Sequence, residues 1–188
     1  MLVPWAIPTA ITAKLWAFLF SEQGIVNSIF HAHVAWQTDP WAARFSIILA
    51  DVWKTTPFMA LLILAGLQMI PKDLYEAARM DGANAWQRFT RITLPLAKNS
   101  IIVAVLFRML DALRMYDLPY IMVGPNPDSP TATLSQLVVA AIRQDHVNAA
   151  SALSTLIFLL IFLIALCFVK SLGSKVAHQA EPVVAEEE

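Results

Sequence analysis

Between Val147 and Val169 the chain carries no charged side chain, and this stretch includes the run Leu156-Ile157-Phe158-Leu159-Leu160-Ile161-Phe162-Leu163-Ile164. As a helix it is long enough to cross a hydrocarbon core of about 30 Å, which takes about 20 apolar residues at about 1.5 Å each. Three further segments approach that length: Leu2 to Phe20, with Lys14 as its only charge; Phe45 to Ile70, interrupted by Asp51 and Lys54; and Ser100 to Val123, which contains Arg108, Asp111, Arg114 and Asp117. Apolar residues make up 58% of the chain and charged residues 14%. A soluble domain carries roughly 25% charged residues, so an ordinary aqueous surface could not be covered. The expected fold class is all-α: a polytopic membrane helical bundle of about four transmembrane helices, with spans at about 2–20, 45–70, 100–123 and 147–169. The first segment is a poor signal peptide, because no basic region precedes it and Pro4 and Pro8 fall early in it.

Thirteen basic and 14 acidic residues leave a net charge of −1, which rules out a broad basic face for nucleic acid. The basic residues are unevenly placed. Lys72, Arg79, Arg88, Arg91 and Lys98 lie between the second and third spans, and Lys170 and Lys175 flank the last. The opposite loops hold only Arg44 and Arg143. Because Lys and Arg accumulate on the cytoplasmic side, loop 71–99 and the C-terminus are expected in the cytoplasm, with a polar, flexible tail over 174–188.

Four apolar helices alone would say only that the protein is embedded in lipid, so the informative segments are those that the apolar pattern does not require. In loop 71–99, Pro71 suits the first turn of a helix and Leu74, Ala77 and Ala78 form one apolar stripe. Asp81-Gly82 ends that helix, since Gly readily takes a left-handed conformation there. A second helix, carrying Trp86, Phe89 and Ile92, is expected to run until Leu94-Pro95 stops it. Such a bent pair suits a knob that enters a groove on a partner or an amphipathic stretch resting on the inner leaflet. Periodicity leaves both open.

Ionisable residues at lipid depth form the second such feature. A charge at the bilayer centre costs about 2.5–3.5 kcal/mol on insertion scales, so Asp51, Lys54, Arg108, Asp111 and Arg114 should face water, protein or one another. Arg108, Asp111 and Arg114 share a face at three-residue spacing, as do Asp51 and Lys54. Ion pairs that tie the bundle together and the lining of a polar pathway are both compatible with this pattern. His31 and His33 lack the further ligands that a metal site needs. Trp5, Trp16, Trp36 and Trp41 are read as interfacial anchors, and Gly66 as a point of close helix packing.

The segment Glu76-Ala77-Ala78-Arg79-Met80-Asp81-Gly82, followed by Ile92-Thr93-Leu94-Pro95, resembles the EAA loop of the membrane subunits of binding-protein-dependent ABC importers in bacteria. Ile70-Pro71-Lys72-Asp73-Leu74-Tyr75 is similar to the carbohydrate branch of that family, of the maltose and trehalose type. The likeness extends over about residues 1–173 and includes Gly24-Ile25-Val26-Asn27 and Tyr116-Asp117. Met122-Val123-Gly124-Pro125 departs from the T-x-G-G-P that the family often shows.

The resemblance implies a partial type I permease fold in the bacterial cytoplasmic membrane, and a chain lacking about two N-terminal helices of its family. It also implies that Glu76, Ala77, Ala78, Asp81 and Gly82 couple to a cytoplasmic ATPase subunit. Positions that touch sugar in the maltose branch fall on Asp51, Lys54, Thr55, Phe58, Arg108, Ala112 and Met115. Asp111, on the Arg108 face, joins the candidate pathway. The implied partners are a second permease subunit, two ATPase subunits and an extracytoplasmic solute-binding protein, with a carbohydrate as cargo. None of the five glycines sits in a G-x-x-x-x-G-K-[ST] context, so ATP and Mg are expected in the partner ATPase, with no cofactor and no enzymatic chemistry in this chain. Two rivals remain at this stage: a secondary transporter or proton channel that uses the Asp/Arg pairs, and a non-transporting membrane scaffold.

Overall fold

The computed structural model of the chain describes residues 2–31 and 33–177, with side chains as far as Lys170. The described residues form helices and no strand. In chain order the helices are α1 (Val3–Ala6), α2 (Thr9–Leu19), α3 (Ile25–Phe30), α4 (Pro40–Gln68), α5 (Lys72–Met80), α6 (Ala85–Arg88), a π-helical turn (Phe89–Thr93), α7 (Leu94–Leu113), α8 (Asp117–Met122), α9 (Leu134–Arg143) and α10 (Val147–Ala177). Three stretches among them are long and apolar enough to cross a membrane: Pro40–Gln68, Ala85–Leu113 and Val147–Lys170.

The first expected span is different. Pro8 forces Ile7 into an extended conformation (ψ 132°) and splits the segment into α1 and the 11-residue α2. At about 1.5 Å per residue α2 reaches only about 17 Å, short of a bilayer core. Ala13 of α2 and Phe20, just after it, pack with Ile47 and Ala50 of α4 and Leu118 and Met122 of α8 into a single apolar core. Trp16 and Trp36, read as interfacial anchors, pack against this core instead. Asn27 is buried beside them. Its amide donates to the Glu22 and Val34 carbonyls, both at 3.0 Å, and its oxygen accepts from Trp36 Nε1 at 2.8 Å.

α4 begins five residues earlier than its apolar run, because Asp39 caps the Trp41 and Ala42 amides and Pro40 occupies the first turn. α4 and α7 form the most extensive helix contact in the chain. They approach closest at Gly66, where an added Cβ would overlap the Ser100 side chain.

Pro95 was expected to end a helix. It lies instead in the first turn of α7, and α6, the π turn and α7 form one continuous 29-residue rod. A Pro cannot donate to the carbonyl four residues back and its ring crowds that carbonyl. The π turn opens the helix at this point, with the Leu94 amide reaching Phe89 O.

The rod stops at Leu113, ten residues before the expected end of the third span. Beyond this end, Pro119 has no N–H for the Met115 carbonyl, which accepts from the Thr133 hydroxyl at 2.7 Å. α8 then turns back toward α2. α10 packs on α9 and α7, but most of its apolar surface is exposed within this chain. Gly173 does not break it, in keeping with a cost of about 1 kcal/mol for one Gly in a helix. The expected tail from 178 onward lies outside the described residues.

Candidate functional site

Two adjoining cavities open where α1, α4, α7 and the 114–118 turn meet. The larger, about 390 Å³, is lined by Thr55, Phe58, Arg108 and Asp111 together with Trp5, Arg114 and Ile161. The smaller, about 150 Å³, is lined by Asp51, Lys54, Thr55, Asp111 and Met115, with Arg114 and Tyr116. Thr55, Asp111 and Arg114 are common to both. All seven residues expected along a polar pathway, two of them 64 positions apart in sequence, thus border one continuous region. Ala112, which the resemblance also indicated, lines neither cavity.

The charges here are arranged rather than scattered. Arg108 donates to the Asp51 carboxylate across the α4–α7 contact, and its other terminal nitrogen lies 3.3 Å from Asp111 Oδ2. Asp51 is 7% exposed, so its charge is stabilised mainly by that guanidinium. Lys54 makes no ion pair with these carboxylates among the described residues; its ammonium donates to the backbone carbonyls of Ile7 and Trp5. Thr55 donates back to the Asp51 carbonyl at 2.7 Å. Phe58 stacks on Trp5, with centroids 5.3 Å apart and planes 10° from parallel.

Sequence reasoning missed Trp5 as a lining residue. The signal was present in Pro4 and Pro8, which break the helix and bring the indole back over α4. Arg114 was read only as one of a row of ions, yet it borders both cavities. Tyr116 is the other addition. Desolvation pushes its phenol above the ordinary range, and Tyr120, stacked at 5.0 Å, adds to the shift, so Tyr116 meets the smaller cavity as a neutral hydroxyl.

A second constellation lies on the segment between the long rods. The Ala83 amide reaches Ala78 O at 2.9 Å and the Gly82 amide reaches Arg79 O at 3.0 Å, which together form a Schellman closure of α5. Gly82 sits at φ 77° with no atom within 4 Å of where a Cβ would be, so the backbone angle rather than crowding favours glycine there. Asn84 and Gln87 then form a reciprocal capping box that starts α6. The corner is therefore rigid on both sides. Glu76, Ala77, Asp81 and Gly82 are exposed and Ala78 is half-buried. Leu74 and Met80 are exposed as well, and Glu76 makes no ion pair among the described residues. Tyr75 ties α5 to the π turn through a 2.9 Å hydrogen bond between its hydroxyl and that of Thr93.

The family described as binding-protein-dependent transport system inner membrane component matches residues 1–178. The trehalose/maltose transport system permease protein MalF of Thermococcus litoralis is 43% identical over 175 residues, which cover 90% of this chain and 59% of that protein. The crystal structure of a bacterial ABC transporter that imports the acidic polysaccharide alginate has a chain similar to this one at a TM-score of 0.81 and 26% identity, over 92% of this chain and 63% of that one. A bacterial alginate ABC transporter in complex with an alginate pentasaccharide-bound periplasmic protein is similar at a TM-score of 0.73 and 26% identity, over 97% and 64% respectively. This chain spans less than two thirds of the length of each of these relatives. A family match along nearly the whole sequence, joined to long apolar helices and this helical likeness, means that the chain is a multi-pass membrane protein belonging to the inner membrane components of binding-protein-dependent transport systems.

Proposed function

We propose that this chain lines part of the translocation path of an ATP-driven carbohydrate importer, with a disaccharide such as trehalose or maltose as the cargo. The observation that carries this reading is the meeting of Asp51, Thr55, Arg108 and Asp111 with the Trp5–Phe58 stack at two joined cavities. A sugar presents apolar ring faces and a rim of hydroxyls. Aromatic faces beside carboxylate acceptors and guanidinium donors match both, and the larger cavity falls in the size range of small-molecule sites, about 300–1,000 Å³. The trehalose/maltose assignment of the Thermococcus litoralis relative and the alginate cargo of the structural relatives point to the same substrate class.

In this reading the path is completed by a second permease subunit, and a solute-binding protein delivers the sugar from outside. Two cytoplasmic ATPase subunits bind ATP and Mg. The basic residues of loop 71–99 orient that loop to the cytoplasm. The exposed Glu76 to Gly82 corner docks on an ATPase subunit, and the capped corner passes its motion as a lever to α4 and α7. The lever needs stiffness, and the Schellman closure and capping box supply it.

The test is uptake by the complete transporter in proteoliposomes. Uptake that requires ATP inside and survives collapse of the proton gradient supports the proposal; the reverse pattern would establish a secondary transporter. Glu76→Lys and Gly82→Val should each abolish uptake and uncouple ATP hydrolysis while the protein still inserts. Normal transport by both variants would sink the coupling role.

A further inference from the structure

Lys54 was a candidate for touching the cargo, but its bonding indicates another task. Pro8 interrupts the helix between α1 and α2, so the carbonyls near the break lose the amides that a continuous helix would supply. The Ile11 amide, which a continuous helix would give to Ile7 O, turns to Pro8 O, and Thr9, the helical donor to Trp5 O, begins a new helix. The Lys54 ammonium donates to both carbonyls, reaching back from α4 across 49 and 47 residues of sequence. A buried carbonyl that loses its donor costs about 1–3 kcal/mol, so the part-buried Ile7 carbonyl is the stronger of the two holds on the ammonium. One turn further along α4, Phe58 receives the Trp5 ring. Lys54 and Phe58 therefore fasten the same short helix, one by its backbone and the other by its side chain.

We infer that Lys54 is a positioning residue: it seats the α1–α2 break on α4 so that the Trp5 indole forms a wall of the larger cavity. Two of the three ammonium donors are committed to these carbonyls. Lys54 acts on the larger cavity through the Trp5 ring that this seating places. The role in cargo affinity rests on the carbohydrate reading above, whereas the seating of Trp5 does not.

The experiment has two arms, both on the assembled transporter with Cys167→Ser as background. In the first, Met59, which also lines the larger cavity, is replaced, and Met59→Cys reports access to that cavity through its rate of maleimide labelling, without sugar or ATP. Lys54→Met should speed labelling about tenfold, the factor for losing about 1.4 kcal/mol of seating. Lys54→Arg, which keeps the donors, should return it to near the starting rate. Trp5→Ala should match Lys54→Met, and the double variant should be no faster than Trp5→Ala alone. In the second arm, the KM for sugar uptake should rise in Lys54→Met with little change in kcat, and the rise should vanish in the Trp5→Ala background. An unchanged labelling rate in Lys54→Met overturns the inference, and so does a KM effect that persists undiminished without Trp5. If Lys54→Met does not assemble, Lys54→Gln, whose shorter, uncharged side chain keeps two N–H donors, should give a smaller shift in the same direction; labelling as slow as that of the unaltered residue would refute the role. A transporter that takes up no sugar would defeat the carbohydrate reading while leaving the labelling arm decisive.

Discussion

Arg108 on α7 bridges Asp51 on α4 to Asp111 on its own helix, so a single guanidinium links two packed rods and borders the larger cavity. The Asp51 side chain is 10% exposed and that of Arg108 25% exposed. Removing one member of a buried pair strands the other charge, at a cost of about 3–5 kcal/mol when burial is complete. The exposure of Arg108 places Arg108→Met near the lower end, about 3 kcal/mol. Asp51→Leu combined with Arg108→Met should lose less than Arg108→Met alone, because no orphan charge remains. Thermal unfolding of the three variants in detergent measures this; a double variant that loses the full sum of the singles would contradict it.

The same helix contact has an apolar pinch point. At Gly66 a Cβ would overlap the Ser100 Oγ and Cβ, whereas the Ser100 Cα stands 3.7 Å away. Gly66→Ala should therefore separate α4 from α7 and destabilise by about 1–3 kcal/mol, the usual cost of overpacking. Ser100→Gly removes the obstructing atoms and should restore most of the loss in the paired variant. Failure of that rescue would show that the clash lies elsewhere.

The long elements of this fold were legible because length and hydropathy alone specify them: Val147 to Val169 needs no partner to be recognised as a helix. The breaks were less legible, and two prolines account for much of the difference. Pro8 split an apolar segment that hydropathy counted as one span. The third span ends at Leu113, at a turn that hydropathy did not show. Pro95 was expected to terminate a helix and is instead accommodated by a π turn, an outcome that depends on how α6 and α7 are held and not on the local residues. The site residues on α4 and α7 could be listed from spacing and resemblance, but hydrogen-bond destinations could not. Nothing local in the sequence indicates that Lys54 turns to the carbonyls of Trp5 and Ile7 while Asp51 takes Arg108.

Asn27 illustrates a polar residue whose value lies in the number of groups it satisfies. Its side chain is the shared partner of the Glu22 carbonyl, the Val34 carbonyl and the Trp36 indole. Asn27→Leu would leave all three without that partner, for a loss of about 3 kcal/mol at about 1 kcal/mol per bond. Asn27→Asp keeps the acceptor for Trp36 but sets a carboxylate oxygen against the two carbonyls, so it should lose at least as much as Asn27→Leu. The local consequence is loosening of residues 22–36, which limited proteolysis reads directly. Protection equal to that of the unaltered residue in Asn27→Leu would show that the loop is held by apolar packing alone.

The Tyr75–Thr93 hydrogen bond is the only side-chain bond described between α5 and the π turn. If the corner at Gly82 transmits motion from an ATPase to α7, this bond stops α5 from rotating against the rod it drives. Tyr75→Phe removes the hydroxyl without changing the ring and should cost about 1 kcal/mol of local stability. A bond of that size changes the ratio of docked to undocked α5 by about fivefold. The expected phenotype is therefore partial: ATP hydrolysis continues, and the ATP consumed per sugar imported rises by about two- to fivefold. Thr93→Val should match it, and the double variant should be no worse than either single, since both remove the same bond. Measuring ATP hydrolysis and sugar uptake on the same proteoliposomes gives the ratio. A ratio unchanged in both single variants would mean that the α5 lever is held by the Schellman closure and capping box without help from this bond.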